Sequence, residues 1–387
     1  MNVEIFKYII DNGECTIPQI ASETGLSIPT VTKYLAELQD EGYVDTGGSQ
    51  SGHRGRKATI YTAGKNSAFF LGVDIKHFSI VLQLVDIVGN AVQKKEVTDF
   101  LFENTPAALD RIVTEILSFI RESGALATRV RTACVNISGR VNTHAGHSYS
   151  IFRFEGDETP LADILSERTG IKTIIHNDTQ AMTYGEYRTG SAGNWDNILF
   201  LNISWGLGMG IILNGKPYYG SNGYAGELGH IYAFDNEIMC HCGKKGCLET
   251  EASISAMVRK IESRIRKGEN SVLSRLVKNG DAITPEAIRS AVEKEDPICL
   301  EIIEEMGINL GRQVANLINV FNPQAIIVGG TLADISDDIL LPIKMTVNRY
   351  ALKLICRNVE IVKAALGSDS GVTGACLLAR DAFISAL

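Results

Sequence analysis

No run of apolar residues in this 387-residue chain approaches the roughly 20 that a membrane-spanning helix needs. Its N-terminus has neither the basic start nor the cleavage site of a secretory signal, so the sequence predicts a cytoplasmic protein with no membrane partner. A surplus of positive charge is missing too. The net charge of −8 argues against a chain that coats nucleic acid indiscriminately, and any DNA contact has to come from a localised surface. Five of the eight cysteines (Cys15, Cys134, Cys299, Cys356 and Cys376) are scattered in apolar settings, as suits reduced, buried thiols. Apolar residues make up 45% and charged ones 21%, ordinary values for a globular protein, and the length allows two or three domains.

The other three cysteines are not scattered. Cys240, Cys242 and Cys247 fall within eight positions, separated by glycines and lysines, with His230 just upstream. Zinc takes four soft or borderline ligands in a tetrahedron, and closely spaced thiolates on a tight turn plus one imidazole supply them. Gly243 and Gly246 let the backbone curl so that the sulfurs converge. Buried or oxidised cysteines are the alternative, and they leave the glycines unexplained.

The surroundings carry more. Gly220-Ser-Asn-Gly-Tyr-Ala-Gly226-Glu227-Leu-Gly229-His230 precedes the cysteines, and Leu248-Glu249 follows them directly. Gly-Glu-x-Gly-His followed by Cys-x-Cys-Gly-x-x-Gly-Cys-Leu-Glu resembles the signature of the ROK family of repressors, open reading frames and sugar kinases. The resemblance implies a structural Zn2+ held by His230, Cys240, Cys242 and Cys247. It also implies that the second ring nitrogen of His230 meets a sugar hydroxyl. His241, between two ligands, is expected to point away.

Residues 1–62 have a different texture. A first amphipathic helix ends at Asn12-Gly13. A second runs from about Ile17 to Thr24, Gly25 makes a turn, and a third runs from Ser27 to about Glu41. Ser27 is placed to cap the third helix, with Pro29 in its first turn. Ile20, Ala21, Leu26, Val31, Leu35 and Leu38 pack the two helices together, which leaves Ser27, Thr30, Thr32, Lys33 and Tyr34 to meet a DNA groove. Tyr43-Val44, a glycine-rich stretch and Lys57–Tyr61 read as a hairpin wing, with Arg54, Arg56 and Lys57 near its tip. The segment carries five Lys/Arg against eight Asp/Glu, but phosphate contacts need cations only where the backbone passes. A winged helix used for protein contacts is the alternative. ROK repressors carry a similar domain, with Gly-Arg-Pro where this chain has Gly55-Arg56-Lys57.

From about residue 68, strand-like runs alternate with helical patterns in two halves, as in the two-lobed actin-like, ribonuclease H-like sugar-kinase architecture. His176-Asn177-Asp178 stands at a strand end opening a helix. A carboxylate there could accept a sugar hydroxyl's proton, and Asp178 matches the family's catalytic base; helix capping is a compatible second role. By resemblance, Gly139, Asn177, Asp178, Glu227, His230 and Glu249 form the sugar site, although serine replaces proline at Ser138-Gly139. Ser204-Trp-Gly206-Leu-Gly208 resembles a phosphate loop with Ser-Trp where kinases usually show Gly-Thr. The Asp-x-Gly-Gly-Thr hairpin of the kinases reads Asp74-Ile75-Lys76-His77-Phe78 here; both glycines are gone, and side-chain bulk stands where ATP phosphates would lie.

The sequence therefore predicts an α/β protein with a winged helix-turn-helix at 1–66, a first lobe at 67–185 and a second lobe at 186–369 with the zinc knuckle and a dimer surface. The C-terminal helix, 370–387, is a candidate to return to the first lobe. The expected function is a sugar-responsive regulator that binds operator DNA as a dimer, with a sugar or sugar phosphate as effector between the lobes. The alternative is an active ATP-dependent sugar kinase, or a bifunctional kinase and regulator, which would also need ATP and Mg2+, with Asp178 as its base rather than a vestige of one.

Overall fold

The structure, a computed structural model, describes residues 3–50, 58–154 and 158–387. Helices α1 (Val3–Asn12), α2 (Ile17–Thr24) and α3 (Ile28–Asp40) lead into strands β1 (Val44–Gln50) and β2 (Ala58–Ala63), an antiparallel wing. Gly25 closes α2 in the left-handed region at φ +68°, and the Ser27 hydroxyl accepts the Thr30 N–H to cap α3. Arg54, Arg56 and Lys57, the wing-tip candidates, lie outside the described residues.

The core continues through β3 (Phe69–Ile75), β4 (Ile80–Asp86), β5 (Ala91–Val97), α4 (Pro106–Glu122), β6 (Val130–Ile137), β7 (Val141–Asn142), β8 (His147–Ser148), α5 (Leu161–Thr169), β9 (Lys172–Asn177) and α6 (Asp178–Thr189). It then runs through β10 (Ile198–Ile203), β11 (Leu207–Leu213), β12 (Lys216–Pro217), α7 (Ile254–Arg266), α8 (Ser274–Asn279), α9 (Pro285–Glu293) and α10 (Pro297–Phe321). The last elements are β13 (Ala325–Gly329), α11 (Thr331–Ile335), α12 (Leu340–Tyr350), α13 (Lys353–Cys356), β14 (Glu360–Lys363) and α14 (Ser370–Ser385).

Two compact units emerge. One comprises residues 1–137, 145–176 and 375–387, the other residues 138–144 and 177–374. Each holds a five-stranded sheet, in the order β5-β4-β3-β6-β9 in the first and β12-β11-β10-β13-β14 in the second. In both, three antiparallel strands are followed across the first of them by a parallel neighbour, β6 on β3 and β13 on β10. The repetition matches the expected actin-like, sugar-kinase core. The sequence places strands at 68–74, 79–86, 131–137, 173–176, 197–203, 208–213 and 325–329 and long helices at 107–123, 178–188, 252–267 and 299–321, each within two residues of the observed ends. β5, β14 and the two-residue strands β7, β8 and β12 were not predicted. β5 escaped because Gln93, Lys94, Lys95 and Glu96 give it no apolar run.

The first unit's core joins the winged helix to the sheet. Ile5, Phe6, Ile9, Leu35 and Leu38 share one cluster with Phe70 and Val85 of the sheet and with Ala375, Cys376, Ala379 and Ile384 of α14. Phe383 makes the link visible, its ring lying 5.8 Å from Tyr43 and 5.5 Å from Phe70. The winged helix is therefore part of a packed body, and the last residues of α14 belong to that body.

Candidate functional site

The cysteine knuckle comes together as the spacing predicts. One ligand atom each from His230, Cys240, Cys242 and Cys247 lies within 4.8 Å of the others. His230 Nδ1 is 3.5 Å from Cys240 Sγ, Cys242 Sγ is 3.6 Å from Cys247 Sγ, and none of the thiols is in a disulfide. Gly246, at φ +78°, has no room for a Cβ against the Phe234 carbonyl and the Tyr232 ring, and Gly243 needs φ +84°. Burial pushes the Cys240 thiol up to about 12, whereas hydrogen bonds from the Lys244 backbone and the neighbouring thiols bring Cys242 down against its own burial. Three thiols and one imidazole at these separations fit a tetrahedral divalent cation, whose charge would offset the cost of buried thiolate. His241 is exposed and outside the cluster.

The other face of the same histidine meets the sugar candidates. His230 Nε2 is 3.7 Å from Glu227, whose carboxyl is raised by burial and by Glu249, against the pull of His230 and Arg140. Glu249 accepts the Leu207 N–H at 3.0 Å and the Cys240 thiol at 3.7 Å, so one carboxylate ties the knuckle to the β10–β11 turn. Asn177 caps α6 by accepting the Gln180 N–H at 3.0 Å, and its amide donates to the Gly139 carbonyl at 2.9 Å. Asp178 accepts the Ser138 hydroxyl at 2.7 Å and the Thr179 N–H at 2.7 Å. Gly139 itself turns at φ +91°. All six sugar candidates belong to the second unit, Gly139 through the segment 138–144.

Two residues that the sequence did not flag hold this constellation. Gln180, buried on α6, donates to the Gly223 carbonyl at 2.8 Å and so anchors the loop that leads to Glu227. Ser138 holds Asp178, and the serine noted only as a departure from proline is the residue that makes the bond. A helical glutamine offers no signal by itself. Its position two residues after Asn177-Asp178, on the helix that they open, is the only clue.

The phosphate-loop candidates take other partners. A Cβ at Gly208 would strike the Thr179 side chain, one at Gly210 the Thr183 side chain, and one at Gly206 would lie 2.8 Å from Glu249. The alternation therefore lets β11 and its turn pack closely on α6 and Glu249. Ser204 Oγ lies 2.6 Å from Asn202 and accepts the Thr331 N–H, and Trp205 packs on the second unit's core. In the first unit Asp74 is buried and accepts the Asn136 amide at 3.2 Å. In the β3–β4 turn Lys76, His77 and Phe78 are half-buried, with the His77 and Phe78 rings edge to face at 4.6 Å. Burial lowers the His77 imidazole below its usual value.

On the winged helix, Thr32 and Lys33 are exposed on α3, Ser27 and Thr30 bond each other at its start, and half-buried Tyr34 packs against the first unit's core. Ile28 is 54% exposed at the first turn. An apolar side chain left in water there suits contact with a thymine methyl, a role that polar groove candidates do not cover.

A DNA-reading fold joined to a duplicated α/β core, with a thiolate–imidazole cluster beside the carboxylates of Glu227 and Glu249, defines a regulator built on a sugar-kinase scaffold. The chain belongs to the ROK family, which it matches over residues 70–382, and residues 3–45 match the winged helix-turn-helix DNA-binding family. Over 385 residues it is 27% identical to the DNA-binding transcriptional dual regulator NagC of Escherichia coli K12, covering 99% of this chain and 93% of that protein. The crystal structure of a ROK family transcriptional regulator, a homolog of the E. coli MLC protein, superposes with a TM-score of 0.82 at 27% identity, covering 99% and 95%. A ROK glucokinase from Streptomyces griseus, in complex with glucose and AMPPNP, gives 0.69 at 28% identity, covering 81% of this chain and all of that one.

Proposed function

We propose that this protein is a sugar-responsive transcriptional repressor that binds operator DNA as a dimer through α3 and the wing. Its effector is a sugar or sugar phosphate, held by Gly139, Asn177, Asp178, Glu227, His230 and Glu249. The observation that carries this reading is coverage. The regulator relatives match from the winged helix through the last helix, whereas the glucokinase matches the core alone.

Zinc in the knuckle would supply fixed positive charge and hold His230 by Nδ1, leaving Nε2 to a sugar hydroxyl. Glu227 and Glu249 accept hydrogen bonds from vicinal hydroxyls, and the Asn177–Gly139 and Ser138–Asp178 bonds keep the other acceptors in place. Two observations weigh against catalysis on ATP. Side chains fill the β3–β4 turn, and Gly208 and Gly210 are committed to packing against α6. Asp178 is then a sugar ligand rather than a base. Release from DNA requires that the sugar bind the DNA-free form more tightly than the bound one, since equal affinity shifts nothing.

The test starts from operator fragments that the protein itself selects from genomic DNA. Labelled operator is titrated with a panel that includes N-acetylglucosamine and xylose, the sugars named for two repressor relatives. One sugar or its phosphate is expected to release the DNA. Glu227→Ala should keep operator affinity within about twofold and lose at least 1.4 kcal/mol, about tenfold, in sugar affinity. A sugar that binds in calorimetry yet leaves operator affinity unchanged would remove the sensor.

A further inference from the structure

A cavity of about 260 Å3 lies in the first unit, between the end of β8 and the start of α5. Neither the sugar set nor the winged helix uses it. It falls below the roughly 300–1,000 Å3 of sites for drug-sized ligands, so it suits one small ring.

Its walls are pinned. The Ala162 N–H donates to the Gly146 carbonyl at 3.1 Å, and a Cβ at Gly146 would lie 2.8 Å from the Ala162 Cβ, so β8 begins against the first turn of α5. Buried Phe152 adopts φ +54°, in the left-handed region that a bulky residue rarely enters. Its N–H donates to the Asn104 side chain at 2.7 Å, and its ring meets that of Phe102 at 5.6 Å. Phe102 is fastened in turn, its N–H donating to the His77 carbonyl at 2.8 Å. A strained residue held by so many neighbours is characteristic of a ligand wall rather than an idle loop.

The lining states the ligand's chemistry. Phe152, Leu161 and Ile164 supply an apolar side. Tyr149, 41% exposed, supplies an aromatic ring, steadied by the Arg153 guanidinium 5.8 Å from its centroid and by the His147 ring at 6.0 Å. The exposed side chains of Arg153, Glu158 and Thr159 complete it. An anion would face Glu158 and a cation would face Arg153. A wholly apolar ligand would strip water from both and return no hydrogen bond. A pyranose ring satisfies the whole lining. Its C–H face meets the electron-rich face of the tyrosine, and its hydroxyls donate to the carboxylate and accept from the guanidinium.

We infer that this cavity is a second carbohydrate site, which takes one neutral pyranose ring. None of the six residues of the set around His230 lines it, and the assignment stands whether or not the protein binds an operator.

The probes are the methyl glycosides of glucose, galactose, mannose, xylose and N-acetylglucosamine, offered at millimolar concentration to the full-length protein and followed by saturation-transfer NMR. Glu227→Ala removes the contribution of the His230 set. In that background at least one glycoside is expected to keep a signal, with a Kd in the millimolar range. Adding Tyr149→Ala should cut the signal about tenfold, and so should adding Arg153→Ala with Glu158→Ala. Adding Tyr149→Phe should preserve it, because the ring rather than the hydroxyl makes the contact. Zinc content and far-UV circular dichroism unchanged in Tyr149→Ala separate a lost site from a misfolded chain. No glycoside signal in Glu227→Ala, or a signal that Tyr149→Ala leaves as it was, overturns the inference. Sugar affinity unchanged by Glu227→Ala would count against the His230 set, and the Tyr149 variants would still decide the cavity.

Discussion

Cys247→Ser is expected to lower bound zinc from one equivalent to a small fraction and to weaken sugar binding at least tenfold. Cys247 is only 1% exposed, and its sulfur lies 3.6 Å from Cys242 Sγ. A serine hydroxyl does not ionise there and does not replace a thiolate ligand. The knuckle has little else to hold it. Around it Tyr232 is 71% and Met239 61% exposed, and its backbone bonds, such as Leu248 N–H to the Ile231 carbonyl and Gly243 N–H to the Cys240 carbonyl, stay within the segment 231–248. Structural zinc contributes on the order of 10 kcal/mol to small metal-dependent folds, so its loss opens the segment locally. His230 loses its anchor, and Glu249 loses the thiol beside it. The second unit's apolar core extends well beyond the knuckle, so far-UV circular dichroism should change little. Zinc by mass spectrometry and sugar affinity by calorimetry check both halves, and a variant with one zinc and wild-type affinity would contradict the assignment.

The second large effect is expected at a residue with no ligand. Glu186 is fully buried near the end of α6, and its carboxylate accepts four hydrogen bonds. They come from the backbone N–H groups of Ser191 at 2.8 Å, Ala365 at 3.1 Å and Leu366 at 2.7 Å, and from the Ser370 hydroxyl at 2.8 Å. The side chain thus fastens the end of α6 to the loop before α14. Glu186→Ala leaves three part-buried N–H groups and the buried Ser370 hydroxyl without this acceptor, each costing about 1 kcal/mol, the low end of the range for fully buried groups. A loss of roughly 4 kcal/mol follows, and at about 2–4 °C per kcal/mol for a unit of this size the melting temperature should fall by about 10 °C. Glu186→Gln should recover only part of it, because an amide keeps one acceptor and turns donors toward donors. A melting temperature within 2 °C of wild type in Glu186→Ala would show that water or a shifted side chain satisfies those groups.

The knuckle, the Asn177-Asp178 helix start and the winged helix were legible because each is written in neighbouring residues. Ligand spacing, a cap and an apolar period of 3.6 need no knowledge of distant chain. Glu186 was not, since its partners Ala365 and Leu366 lie some 180 positions away and a glutamate near a helix end reads as a solvated one. The glycines 206, 208 and 210 were visible, but their reason was not: two threonines on α6 and Glu249 occupy the space that side chains there would need. An exposed apolar stripe on α12 escaped for the converse reason. Ile343 and Val347 face the core while Leu341 and Met345 face water, and the sequence pattern alone does not separate two apolar faces of one helix.

The claim on which the rest depends is that this sugar-kinase scaffold senses rather than phosphorylates. Calorimetry of Mg-ATP against the protein, with and without a pool of common sugars, tests it most directly. The account predicts no heat of ATP binding at millimolar concentration in either condition, because Lys76, His77 and Phe78 fill the β3–β4 turn. Sugar-dependent ATP binding followed by release of ADP would contradict it and make Asp178 a catalytic base.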